Sequence, residues 1–161
     1  ENKKNETTSV LDLERVYPKN PDEVVEKFAQ INKYVYSNDL SEEEMEEVVK
    51  NLRILYDQEL LAKNAEDVQL SAFNSELFAA ESKNRKIMNY EVDGNEKVEY
   101  KENKSGELAL VNATFYLKEG EGYPSEKYTF ILRKDVEGNW KILGWDYASK
   151  FSENQEVEIS E

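Results

Sequence analysis

Apolar residues at helical spacing dominate the first half of the chain. Asn20-Pro21-Asp22-Glu23 places an N-cap residue, a proline and two acidic side chains where a helix begins. An apolar stripe follows at Val24, Phe28, Ile31 and Val35. We therefore predict a first helix from about Pro21 to Tyr36 with its apolar face inward. The short apolar segment before it, Val10 to Tyr17, is expected to be a strap that packs on the domain.

A second helix is predicted from its N-terminal signals. Ser41 and Glu44 form a capping box, and Leu40 and Met45 are spaced as a hydrophobic staple. The apolar stripe continues to Tyr56, and Leu60 and Leu61 extend it after a kink. Asn64 with Asp67 resembles a further cap and predicts a third helix, which carries Leu70, Phe73 and Leu77.

The period changes to alternation near Arg85, which predicts β-strands. Met88, Tyr90 and Val92 would share one face of the first strand. Asp93-Gly94 is a tight-turn signal and predicts a hairpin to a strand containing Val98 and Tyr100.

Three further strands are expected in the second half. Residues 108–117 are apolar on both faces, as in a buried central strand. Gly120-Glu121-Gly122 ends that strand, and Tyr128, Phe130 and Leu132 share one face of the next. Asp135 to Gly138 fits a type I turn closed by a left-handed glycine, which leads to a last strand starting near Trp140.

These elements predict an α+β fold in which three N-terminal helices pack on a curved antiparallel sheet of about four to five strands. The 161 residues suit a single domain. We assign residues 1–9 to a disordered tether, 10–150 to the domain and 151–161 to an acidic C-terminal tail.

Three helices followed by a strand meander that ends in Gly138-Asn139-Trp140-Lys141-Ile142 resemble the cone-shaped fold of the nuclear-transport-factor-two-like superfamily, in a cystatin-like arrangement. Four stretches also resemble an uncharacterised family of small anchored extracytoplasmic proteins from gut Firmicutes (clostridia): 12–28, 55–64, 116–120 and 131–145. The resemblance implies a sheet that wraps around helices and leaves a pocket. It also implies an extracytoplasmic location, with a membrane tether or lipoprotein anchor upstream of Glu1.

Charge and residue inventory remove several classes of function. The net charge of −14, from 35 acidic and 21 basic side chains, repels nucleic acid and anionic lipid surfaces. The chain has no cysteine and no histidine, which excludes thiolate nucleophiles, imidazole bases and Cys/His zinc sites. We expect no cofactor, and no contact between this domain itself and a membrane.

No metal site is expected either. The glutamates between Glu42 and Glu47 lie in the first turns of a helix, where the helix dipole favours them. The acidic turns at 93–96 and 135–139 lack the spacing of a calcium loop and are explained by turn chemistry.

Aromatic residues are the richest source of a binding site, because ten tyrosines and two tryptophans give apolar walls with polar tips. Strand twist should leave part of the sheet uncovered by the helices, with a mostly apolar ligand pocket walled by Tyr128 and Trp145. The leading hypothesis is a non-catalytic extracytoplasmic binding module for an unknown small molecule or protein, as a monomer or homodimer. The alternatives are a small-pocket isomerase or dehydratase that uses a raised-pKa carboxylate and a tyrosine, and a structural dimerisation module.

Overall fold

The computed structural model describes residues 10–151, which form five α-helices and one antiparallel sheet of five strands. The helices are α1 (Val10–Arg15), α2 (Pro21–Ser37), α3 (Glu42–Ile54), α4 (Gln58–Lys63) and α5 (Glu66–Ser82). The strands are β1 (Arg85–Val92), β2 (Glu99–Asn103), β3 (Gly106–Glu119), β4 (Ser125–Lys134) and β5 (Trp140–Tyr147). The predicted α+β class is confirmed. The tether, and the tail after its first residue, lie outside the described residues.

The two strongest helix starts are confirmed by hydrogen bonds. The amide of Glu44 donates to Ser41 Oγ at 3.1 Å, and the amide of Ser41 donates to Glu44 Oε1 at 2.9 Å, which completes the capping box of α3. At the start of α2 the amide of Asn20 donates to Glu23 Oε1 at 3.2 Å. Local sequence therefore determines where both helices begin.

The predicted strap packs on the domain as expected: it contains the short helix α1, whose Leu13 is buried in the main core. Two other helical predictions need correction. Leu60 and Leu61 do not continue α3; they lie on the separate helix α4, which Asp57 caps by accepting from the amide of Glu59 at 2.8 Å. Asn64 ends α4, and the N-cap of α5 is Ala65.

The break between α3 and α4 has a structural cause in the sheet. The amide of Ile142 donates to the carbonyl of Leu55 at 2.7 Å, and the amide of Asp57 donates to the carbonyl of Ile142 at 2.8 Å. The connection at Tyr56 therefore adds a short parallel bridge to the edge of β5. These bonds compete with a continuous helix and replace it.

The predicted hairpin at Asp93-Gly94 is wrong. The strand order is β1-β3-β4-β5, and β1 and β2 both pair with β3. β1 lies against residues 113–119 and β2 against residues 106–110. Residues 93–98 therefore carry the chain along one edge of β3, and the reversal comes later, between Asn103 and Gly106.

Two strand predictions also need adjustment. A bulge between Ile87 and Asn89 shifts the register of β1, so Met88 is exposed and does not share a face with Tyr90. β3 is buried on both faces only at residues 108–111; beyond that, alternate positions are accessible. The turn before β5 is confirmed, with Gly138 at φ 86° and its amide donating to the carbonyl of Asp135 at 3.0 Å.

The sheet has one face packed on helices, the inner face, and an opposite outer face. The inner face carries the main core together with α2, α3 and part of α5. The outer face carries a small cluster of Leu108, Leu110, Ile131 and Leu143, against which Phe151 packs.

Candidate functional site

The inner face holds a partly open cavity of about 540 Å³ between the sheet, α2 and α5. Its aromatic lining is Phe28, Tyr36, Tyr56, Phe73, Phe115, Tyr128, Phe130, Trp145 and Tyr147. A cavity of this size falls in the range of small-molecule sites, roughly 300–1,000 Å³.

The cavity exists because α5 covers the sheet with small side chains. Ala72, Ala79 and Ala80 all border the cavity. Only Phe73 and Ala80 of α5 are buried, whereas eight residues of the equally long α2 are. A leucine at such positions would normally fill the gap between helix and sheet. Alanine leaves the gap open.

Strand register assembles the aromatic wall. Tyr128 pairs with Tyr147, and Phe130 pairs with Trp145, so all four rings stand on the inner face of β4 and β5. Tyr128 stacks on Tyr147 with ring centroids 5.0 Å apart, and Trp145 lies 5.6 Å from Phe130 and 5.0 Å from Phe28. Alternation places Tyr128 on this face, whereas Trp145 reaches it through a bulge in β5: Ile142 packs in the inner core, Leu143 is the extra residue and packs in the outer cluster, and the register with β4 shifts between them. Their role in ligand binding stays a prediction.

One end of the cavity is polar. Arg85 Nη2 donates to Glu126 Oε2 at 2.5 Å, and its Nε lies 3.6 Å from Glu119 Oε1. The Tyr128 hydroxyl donates to Glu126 Oε1 at 2.8 Å. Burial, followed by this hydrogen bond, raises the pKa of Tyr128. Glu126 is thus already engaged by a cation and a hydroxyl.

Glu76 on α5 also borders the cavity and has a different environment. Among residues 10–151 its carboxylate has no hydrogen bond or ion pair, although the side chain remains accessible to solvent. Partial burial raises the pKa of Glu76, and the positive charge of Arg85 opposes that rise. Burial also raises the pKa of neighbouring Tyr36, to about 12, so its phenol is neutral at physiological pH.

Sequence reasoning missed the polar groups of this site. Glu76, Arg85 and Glu126 were not singled out, because a charged side chain on a helix or edge strand is usually solvated. The recoverable signal lay in α5, where Ala72, Ala79 and Ala80 surround Glu76 at helical spacing. Small residues on an inward face indicate a gap.

The described part of the chain contains neither a candidate metal centre nor a candidate membrane span. Between residues 10 and 151, three or more acidic side chains nowhere converge in a way that could hold a metal ion. Within the same range, every helix is too short or too polar to cross a membrane.

The environment of Trp145 can be tested by fluorescence. In a Trp140→Phe variant Trp145 is the one tryptophan left. Its side chain is 39% exposed and packs on two phenylalanine rings, so we expect emission blue-shifted from free indole and partial quenching by acrylamide. Emission like that of a fully exposed indole would contradict the aromatic wall.

The geometry defines a class of protein: an α+β fold with an aromatic-walled cavity between a helix and the inner face of its sheet. The model of the family described as "Domain of unknown function (DUF6715)" matches residues 1–145, and the chain belongs to that family. No curated protein matches the sequence. Among solved structures, the intermembrane space region of the chloroplast protein ARC6 is similar, with 13% identity and a TM-score of 0.39; the match covers 81% of this chain and 98% of that one.

Proposed function

We propose that this domain is a non-catalytic binding module whose inner-face cavity holds a small molecule with an apolar body. The observation that carries the proposal is the cavity of about 540 Å³, in which nine of the 23 lining residues are aromatic. Monomeric domains usually fill such space, because each unfilled methyl-sized gap costs about 1 kcal/mol. An unfilled cavity with a few polar groups at one end is the usual form of a ligand site.

The cavity wall is suited to a flat apolar group. Trp145 is 39% exposed, although it packs against Phe28 and Phe130. Tyr128 keeps its ring at the wall while its hydroxyl is held by Glu126. A ligand ring at this wall would gain both apolar burial and edge or stacked aromatic contacts.

An isomerase or dehydratase remains the second candidate, because a carboxylate with a raised pKa, Glu76, borders the same cavity as several tyrosines. Glu126 is a poor general base, since Arg85 and Tyr128 already occupy its oxygens. The dimerisation hypothesis gains no support from the sheet: the outer-face cluster around Leu108 and Ile131 is buried within one chain.

We further propose an extracytoplasmic location, membrane anchoring and a cone-shaped nuclear-transport-factor-two-like arrangement. The support is the resemblance of the four stretches between residues 12 and 145. Protease treatment of intact cells tests the location: a domain outside the membrane should be digested while a cytoplasmic marker survives. Protection until the cells are lysed would contradict it.

Filling the cavity tests the binding function. The probe is phenylnaphthylamine, an uncharged apolar dye that fluoresces when it leaves water. We expect wild-type protein to bind it and an Ala72→Phe/Ala79→Phe variant to lose at least about tenfold in affinity, because two added rings would occupy the space. If the double variant unfolds, the milder Ala79→Leu variant replaces it. Thermal unfolding checks that each variant is folded.

The matched control is Phe78→Ser, which removes a 73% exposed ring from the outward side of the same helix. This control should bind the dye as the wild type does. The proposal is overturned if the filled variants bind normally, or if Phe78→Ser abolishes binding and so places the dye outside the cavity.

A further inference from the structure

Glu76 presents a carboxylate to a cavity whose other charged lining residues are Lys83, Arg85 and Glu126. We propose that the ligand of this cavity carries a protonated amine, which Glu76 binds while the apolar body lies against the aromatic wall. This inference rests on the proposed function of the cavity and names the chemistry of its ligand.

The first argument is the missing partner of Glu76. Glu119 and Glu126, the two other carboxylates near this end, both engage Arg85. Glu76 has no ion pair or hydrogen bond within residues 10–151, and it borders the cavity directly. Arg85 acts on Glu76 through its charge without a direct hydrogen bond, and an ammonium group in the cavity would supply that charge-assisted hydrogen bond.

The second argument is the cost of leaving Glu76 as it is. Glu76 is exposed at the mouth of the cavity, and the part of its side chain that faces the cavity is desolvated, which raises its pKa. A bound cation would reverse that effect and favour the charged form.

The third argument concerns the sign of the ligand charge. A carboxylate ligand would have to compete with Glu126 for Arg85. Glu126 Oε2 already accepts a hydrogen bond from Arg85 Nη2 at 2.5 Å. Lys83 borders the cavity, but it is exposed and caps α5, where the helix dipole accounts for a cation. The net charge of −14 also steers cations towards the protein.

A matched series of probes tests the proposal by isothermal titration calorimetry. Naphthylethylamine, naphthylethanol and naphthylacetate share one apolar body and carry a cationic, neutral or anionic head. We expect wild-type protein to prefer the amine over the alcohol by about tenfold and to bind the acetate most weakly. Glu76→Gln should remove the preference for the amine and leave binding of the alcohol unchanged.

Glu81→Gln is the control, because it removes an exposed charge from the same helix and should keep the preference. Acidification adds a second readout. Protonation of Glu76 should weaken binding of the amine at a pH above the usual glutamate range. The facing phenols of Tyr36 and Tyr56 stay neutral there, since burial raises their pKa values, while Arg85 and the ion-paired Glu126 compensate each other.

The outcomes separate this inference from the function on which it rests. Equal affinity for amine and alcohol in the wild type overturns the amine proposal, although the cavity would still be a binding site. Tightest binding of the acetate overturns it in favour of Arg85 or Lys83 as the head-group site. If no probe binds and cavity-filling variants behave as wild type, the proposed function itself fails.

Discussion

The Asp57→Ala variant is expected to lose about 3 kcal/mol of its free energy of unfolding, because it removes one partner of a largely buried ion pair. Asp57 Oδ1 accepts from Arg133 Nη2 at 2.6 Å, and Oδ2 accepts from Arg133 Nε at 3.1 Å. The Asp57 side chain is 6% exposed and that of Arg133 is 22% exposed. Water can reach the guanidinium, so the expected loss lies at the lower end for buried pairs.

Asp57 also caps α4, which contributes about 1 kcal/mol of that loss. Asp57→Asn keeps a side-chain acceptor and loses the charge, so the difference between the two variants separates the cap from the ion pair. The control is Glu59→Ala, which removes the second carboxylate that pairs with Arg133. The Glu59 side chain is 40% exposed, so this variant should lose less than about 1 kcal/mol of its free energy of unfolding. Urea denaturation measures the free energy of unfolding of all three variants. A loss for Asp57→Ala no larger than that for Glu59→Ala would contradict the prediction.

Truncation of Phe130 is the second large effect, with an expected loss of about 4 kcal/mol for Phe130→Ala. Phe130 is 1% exposed, and its ring lies 5.2 Å from Phe28 on α2 and 5.6 Å from Trp145 on β5. Its removal would leave a void between α2 and the sheet, and this void would merge with the existing cavity. The same variant should therefore widen the range of apolar probes that bind.

Phe78→Ala provides the comparison for Phe130. Its ring is 73% exposed on α5, so its truncation should change the free energy of unfolding by no more than about 0.5 kcal/mol. The loss of free energy of unfolding for Phe130→Leu should lie between the losses for Phe130→Ala and Phe78→Ala. If Phe130→Ala proved as mild as Phe78→Ala, the packing of α2 on the inner face would be wrong.

The parts of the fold that could be read from the sequence are those determined within a few residues. The capping box at Ser41 and Glu44 and the turn closed by Gly138 both depend on short spacings, and both were confirmed. Asp93-Gly94 has an equally strong local signal and misled us. Pairing there is decided by the long β3, which offers its edge to two successive strands.

The same distinction applies to the candidate site. Tyr128 was predicted from alternation within β4, and Trp145 from its place near the end of the last strand. A bulge in β5, which alternation does not predict, turns Trp145 to the same face. Glu76 and Arg85 were not found, because their roles depend on where α5 lies relative to β1. The spacing of apolar residues within α5 or within β1 carries no information about how the two elements are placed relative to each other.

The contacts between the first and last elements have a consequence for folding during synthesis. The Tyr17 hydroxyl donates to the carbonyl of Trp140 at 2.8 Å, across 123 residues, and Ile142 bonds to Leu55 and Asp57. The helices leave the ribosome before the strands, and α2 and α5 can pack on β1 once it is made, but the contacts with β5 come last. Because such long-range contacts slow folding, the domain can close only after translation has passed its final strand.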